Sequence, residues 1–497
     1  MIGLFAALLL LQAVPQPAPP SDAEAAQKAQ TINTLPTDAA KVDAMAKLIA
    51  SLPSDSRIRP TLICWRSSLI QKLKRPDALA EARQCAQVNP DFPPAQWMLI
   101  QALLDKGLLV EAAHFIETGV QEKPELFARL DSDTIASLAR RLDYAGQSEE
   151  KLHLLTTLAD AGFHRDHPME YSGYAEAGIR QHLARNDSPA AVKLLDGVLD
   201  PQDILTMLVD RRYQAIWPDI EQWSGGTLAK QRDALVAHAQ TEYQYDPNPQ
   251  KRLDLANALY STGHPAEAIA MLQKEVAEPD AMKTIGEFGY VMTLIRLTRF
   301  RQETGDGDLD SVTALERSQL SGPIASGNPQ WNLVPNLAKT YLMADKPARA
   351  LALLNRFDTS KNAGLEDAQA NGYFVALRAC ALYGMGNSDT AAPLVNTLEQ
   401  KFSANKSALI IGVGCTSDQT AQIALIRSAL EDPSRRGDML LNLTRARQAA
   451  DMPPTDPTDI LYRKLVKTPQ IKALLAQYAR PLPPSYIPAL HEWRKPA

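Results

Sequence analysis

Apolar residues recur along most of this 497-residue chain at intervals of three and four, the spacing of one face of an α-helix. The pattern is sharpest over residues 252–272, RLDLANALYSTGHPAEAIAML. There Leu255, Ala256 and Leu259 share a face, Gly263 interrupts it, and Ala268 with Leu272 opens a second one. This spacing predicts two helices folded back on each other, with small residues where they cross and a left-handed glycine ending the first. The same arrangement returns in NLVPNLAKTYLMADKPARALALL through Leu337, Ala338, Tyr341, Ala350 and Leu354, and after it through Ala379, Leu382, Gly386, Ala391 and Val395. Nearer the start, Ala78 and Ala112 are 34 residues apart, and so are Pro90 and Pro124. Between them Leu99, Leu103, Gly107, Ala112 and Ile116 repeat the pattern, and RLDYAGQSEEKLHLL turns about Gly146. The predicted fold class is all-α.

These residues and their period resemble the tetratricopeptide repeat, a helix–turn–helix unit of about 34 residues. The resemblance covers four hairpins, near residues 60–124 and 252–400. Departures fall at Trp65 and Arg66, where a leucine and a small residue belong, and at Lys151, which replaces a small residue. The resemblance implies an α-solenoid of stacked antiparallel helical hairpins, a TPR-like superhelix whose first helices line a concave groove. It also implies a protein or peptide partner in that groove, contacted by Trp97, Gln101, Leu253, Asn257, Tyr260, Lys339 and Tyr383. Asp105, Asn332, Leu342 and Tyr373 fall at equivalent positions. Amide and aromatic side chains with little charge suit an extended polypeptide, and Asn257 with Tyr260 form the preferred surface.

Composition changes the picture in two ways. Lys and Arg number 52 against 57 Asp and Glu, a net charge of −5 without the basic stripe that nucleic acid requires. Hydrophobic residues make up 45% and aromatic residues 6%, so alanine and leucine must fill the close-packed helices. The opening, MIGLFAALLLLQAVPQPAPP, has an apolar run from Ile2 to Leu11 that is too short to span a bilayer and is followed by small residues and prolines. It reads as a signal peptide over residues 1–18, which predicts a periplasmic or secreted protein with no integral membrane segment in the mature chain. The remaining divisions are a flexible lead-in at 19–36, an N-terminal helical TPR-like block at 37–242, a TPR block at 251–400, and a C-terminal helical cap and tail at 401–497. YQYDPNPQ, residues 243–250, reads as the joint between the blocks, and the proline-rich tail as an extended segment laid over the last helix.

Four cysteines in an exported chain allow three pairings. Cys64 and Cys85 stand ten residues either side of Lys74-Arg75, so a turn there brings them to one height on facing helices. Cys380 and Cys415, 35 residues apart, suggest neighbouring helices at a spacing wide for a bond. Reduced, buried core thiols remain the other reading for all four.

Candidate chemistry is sparse. His164, Asp166, His167 and Glu170 have ligand types suited to a metal, although a solvated loop explains them equally. Asp306, Asp308 and Asp310 begin like a calcium loop, but Ser311 and Arg317 break it. Gly412-x-Gly414 lacks the third glycine of a dinucleotide site and reads as turn chemistry. Arg211, Arg212, Tyr213, Trp217 and Trp223 have the composition of an interface hot spot or of a core stripe. No nucleophile elbow, phosphate-binding loop or metalloprotease signature occurs, and no cofactor is called for. The expectation is a non-enzymatic exported scaffold. Its rival is a cell-envelope enzyme or polysaccharide-export accessory component that uses the solenoid to dock a partner.

Overall fold

The computed structural model describes residues 20–305, 309–320, 329–356, 368–403, 405–416, 418–448 and 457–490. The described residues form helices throughout and hold no strand, only one isolated bridge between Asp210 and Ala479. Within each unit many consecutive helices pack on one another, as the apolar spacing predicts. No helix among the described residues is long and apolar enough to cross a membrane. The chain divides into two compact units, one up to Arg165 and one from Asp166 onward.

The first unit starts with a helix where a flexible lead-in is expected. Helix Pro20–Asn33 carries Ala25, Ala29 and Ile32 on one face, and all three are buried with Val42, Met45 and Leu62. Alanine's high helix propensity and three well-placed apolar positions order a segment whose composition is otherwise polar. Helices Asp38–Ser51, Arg59–Lys72 and Ala78–Val88 follow. Lys74 turns the chain between the last two in the left-handed conformation, φ 52°. The Cα atoms of Cys64 and Cys85 then lie 4.8 Å apart with their sulfurs at disulfide distance, the pairing that the turn implies. Arg66 fits where a small residue is expected because its guanidinium spans the hairpin to Glu81, with Nε 3.0 Å from Oε2.

Helices Pro93–Asp105 and Leu109–Glu122 form the next hairpin, and Ser132–Tyr144 with Ser148–Asp160 the one after. Gly107 and Gly146 take φ 71° and 74° in the two turns, the left-handed geometry that a Cβ disfavours. Lys151 avoids the crowded crossing by pairing with Asp143 at 3.1 Å.

The second unit opens with helices Pro168–Ala184, Ser188–Lys193, Pro201–Val209, Trp217–Trp223 and Ala229–Tyr245. Hairpin Pro249–Ser261 and Pro265–Ala277 follows, with Gly263 at φ 95° and Ala256 and Ala268 fully buried at the crossing. Of the expected joint at 243–250 only residues 246–248 lie outside helices, a tight turn in which the Asn248 side chain accepts from Lys251 N at 2.9 Å and caps the helix that begins there. A longer helix, Ala281–Thr304, bends at Gly286. Beyond it come Leu309–Gln319, Leu333–Met343, Pro347–Asn355, Ala368–Gly384, Ser388–Lys401 and Lys406–Gly414. Gly412 and Gly414 therefore sit inside a helix. A Cβ at Gly414 would meet Leu461 Cδ2 at 2.9 Å, so close packing explains the small residue there. Helix Lys406–Gly414 packs directly on Ala368–Gly384, and this brings Cys380 and Cys415 to a Cα separation of 5.1 Å, at disulfide distance despite their spacing.

The last helices, Gln419–Glu431, Arg436–Gln448, Pro457–Leu465 and Pro469–Tyr478, return to the start of the same unit. Arg436–Gln448 packs on Pro201–Val209, where a Cβ at Gly437 would stand 2.6 Å from Thr206 Cγ2. The segment after Tyr478 lies against residues 208–224. Arg480 N donates to Val209 O at 2.9 Å, Arg480 Nε to Leu208 O at 2.6 Å, and Arg480 pairs with Glu221 at 2.7 Å. Its guanidinium stacks 4.0 Å above the Trp217 ring, and the Tyr486 and Ser224 hydroxyls are 2.6 Å apart. The arginine and aromatic cluster at 211–223 is thus largely an internal junction. Tyr213 is buried with its hydroxyl donating to Glu176, and Arg211 donates to Ala479 O at 3.1 Å. A linear stack in which each hairpin touches only its neighbours would leave these ends apart.

Candidate functional site

Within the first unit, the leading helices of successive hairpins line an open cavity of about 1050 Å³. Helix Arg59–Lys72 contributes Trp65, Leu69 and Lys72, which share a face at spacings of four and three. Helix Pro93–Asp105 contributes Pro94, Trp97, Gln101 and Asp105 at three, four and four, with Met98 beside them. Arg129, Leu130 and Asp131, just before helix Ser132–Tyr144, complete the lining.

The walls are apolar and the polar groups are mostly engaged at the edges. Gln71 Nε2 donates to Met98 O at 3.4 Å, and Gln101 Nε2 to Thr134 Oγ1 at 3.4 Å. Asp131 caps its helix by accepting from Thr134 N at 2.7 Å. Lys72 donates to Asp38 at 2.7 Å, and this hydrogen bond holds the Asp38 carboxyl below the usual range. The indole of Trp97 differs from these. Its Nε1 is buried and meets no acceptor among the described residues, in a side chain that lines the cavity.

The second unit holds a smaller cavity of about 380 Å³ between helices Pro249–Ser261 and Ala281–Thr304, closed by Asp200, Gln202 and, from near the end of the chain, Arg445. Tyr260 stacks flat on Phe300 with ring centroids 3.8 Å apart, and its hydroxyl donates to Glu303 Oε2 at 2.8 Å. The other oxygen of Glu303 accepts from Arg299 Nε at 2.7 Å. Asp200 caps helix Pro201–Val209 through Gln202 N at 2.8 Å. Burial pushes the carboxyls of Asp200 and Asp254 above the usual range.

The expected groove residues therefore distribute unequally. Trp97 and Gln101 face the larger cavity together, and Asn257 and Tyr260 border the smaller one, Tyr260 nearly covered. Leu253 is buried and belongs to the same core cluster as Leu235, Leu255 and Leu272. Lys339 lies 5.3 Å above the Tyr373 ring, and Tyr383 packs beside Ala379, Val395 and Val413. Trp65 was not expected at the groove, because its place in the repeat pattern is irregular. Its spacing to Leu69 was the available signal.

The other candidates resolve into local structure. His164 stacks on Phe163 at 4.0 Å in a left-handed turn, and His167 stands 3.9 Å from Asp166 just ahead of helix Pro168–Ala184. No group of three His, Cys, Asp or Glu among the described residues is placed to hold a metal ion. Asp306 and Asp308 lie outside the described residues, whereas Glu316 accepts from Tyr341 at 2.7 Å and Arg356 at 3.0 Å. The sequence matches no protein-family model and no curated protein, so the functional argument rests on the geometry of the two cavities.

Proposed function

We propose that the protein is a non-enzymatic, exported binding scaffold of the tetratricopeptide-like α-solenoid type, and that it holds an extended polypeptide in the cavity lined by Trp65, Trp97 and Gln101. The observation that carries this reading is the apolar cavity of about 1050 Å³ lined by Trp97, whose buried Nε1 has no acceptor among the described residues. A buried donor left unpaired costs about 1–3 kcal/mol, and a ligand carbonyl would remove that cost. An extended chain offers carbonyls at regular intervals together with side chains for the flat faces of two tryptophans. Gln71, Gln101, Arg129 and Asp131 at the edges supply polar contacts of both donor and acceptor type. Two cysteine pairs at disulfide distance, with the apolar N-terminal run, support an oxidising compartment outside the cytoplasm.

Selection of peptides from a random 12-residue library on the intact protein tests the proposal. Binders are expected, and Trp97→Ala should weaken them by about 2 kcal/mol, near thirtyfold, the loss typical of a buried aromatic anchor. Trp97→Phe keeps the ring and loses the donor, so it should cost about 1 kcal/mol. Peptides whose affinity ignores both changes would place binding elsewhere.

A further inference from the structure

The second cavity has a different character, and its chemistry turns on Arg296. This residue is half-buried on helix Ala281–Thr304, one turn before Arg299, and lines the cavity. Its neighbour Arg299 is neutralised by Glu303, which also accepts from Tyr260, so both oxygens of that carboxylate are occupied. Arg296 itself makes no hydrogen bond or ion pair among the described residues. A guanidinium carries five N–H donors that water or an acceptor must satisfy, and it does not discharge by losing its proton.

Glu303 and Asp254 act on Arg296 through their fields, without a hydrogen bond or ion pair to it. Asp254 accepts from Gln250 at 2.9 Å, and Asp200 is committed to its helix cap at 2.8 Å. Burial favours the neutral form of both. Arg445 reaches the same cavity from helix Arg436–Gln448, through the closure that joins the two ends of this unit. One acceptor is also left over, because the buried Gln202 Oε1 has no donor among the described residues.

We propose that this cavity binds a small organic oxyanion, a carboxylate or phosphate ester that also carries a hydroxyl or amino group. Arg296 holds the anionic end by charge-assisted hydrogen bonds, which are roughly twice as strong as neutral ones, and Arg445 adds positive charge at the cavity wall. The donor on the ligand satisfies Gln202. A volume of about 380 Å³ admits a metabolite-sized molecule and excludes a folded partner. This site lies wholly in the second unit and stands or falls apart from peptide binding in the first.

Isothermal titration of the intact protein against L-malate, succinate, glycerol 3-phosphate and inorganic phosphate, at constant ionic strength in chloride, tests the proposal. At least one hydroxylated anion should bind, and L-malate should exceed succinate if the carboxylate arm is the true one, or glycerol 3-phosphate should lead if the phosphate arm is. Arg296→Gln should weaken the binder at least tenfold. Arg296→Lys should recover part of the loss, and Arg140→Gln, a charge change on the exposed surface of the first unit, should leave affinity unchanged. Circular dichroism of each variant confirms that the helices persist. Heat signals no larger than those of chloride for all four anions, or undiminished affinity in Arg296→Gln, would overturn the assignment.

Discussion

Replacing Arg212 by alanine is expected to destabilise the second unit by about 3–5 kcal/mol, the cost of leaving a buried charge without its partner. Asp210 is fully buried, and its carboxylate accepts from Arg212 Nε at 2.8 Å, from Nη2 at 2.6 Å and from the backbone N of the same residue at 2.9 Å. Truncation removes the two side-chain donors and leaves one. It also removes the bond from Nη1 to Pro433 O at 2.5 Å, which ties this junction to the turn before helix Arg436–Gln448. Hydrogen exchange should therefore rise together in residues 201–209 and 436–448, while peptides of the first unit keep their protection. An unchanged urea midpoint would mean that the closure of this unit does not depend on the Asp210–Arg212 pair.

Loss of the Cys64–Cys85 bridge should cost the first unit about 3 kcal/mol through the loop-closure entropy of a ring of roughly 20 residues. Both cysteines are buried between helices Arg59–Lys72 and Ala78–Val88, and Trp65 of the cavity is the next residue. Cys64→Ser with Cys85→Ser should accelerate exchange across both helices and weaken any peptide that contacts Trp65. The second unit has its own pair, Cys380 and Cys415, and should keep its protection. Equal stability in the double serine variant would show that the bridge contributes nothing to the folded unit.

The helices were legible in the sequence because each one encodes its own buried face. Leu255, Ala256 and Leu259 predict the first helix of their hairpin, and Gly263 its end at φ 95°. The turns without glycine were harder, since Lys74, Asn186 and Asp345 adopt left-handed φ of 52°, 60° and 54° in its place. Helix Pro20–Asn33 was hidden by its polar composition, although Ala25, Ala29 and Ile32 carry the period. The closure of the second unit had no local signature. Arg480 donates to Leu208 O across most of the unit's length, and no spacing rule connects such positions.

The candidate sites divide along the same line. Trp97 and Gln101 share a helical face four residues apart, so a repeat pattern could find them. Arg296 and Arg445 meet only because distant helices come together, and their cavity was invisible before the structure. Leu253, expected at the groove, is a buried residue. A position that lines a groove in an open stack is buried here, in the same core cluster as Leu235.

Photo-crosslinking tests the central claim most directly. A benzophenone amino acid placed at residue 101, with a second variant carrying it at residue 144, is irradiated with a labelled library-selected peptide, and the linked fragments are mapped by mass spectrometry. Gln101 borders the cavity, while Tyr144 is 54% exposed in the same unit and is not among the cavity's residues. Polypeptide binding at Trp65 and Trp97 predicts crosslinks from residue 101, abolished by Trp97→Ala, and none from residue 144. Equal crosslinking from the two positions, or crosslinks that survive Trp97→Ala, would contradict it.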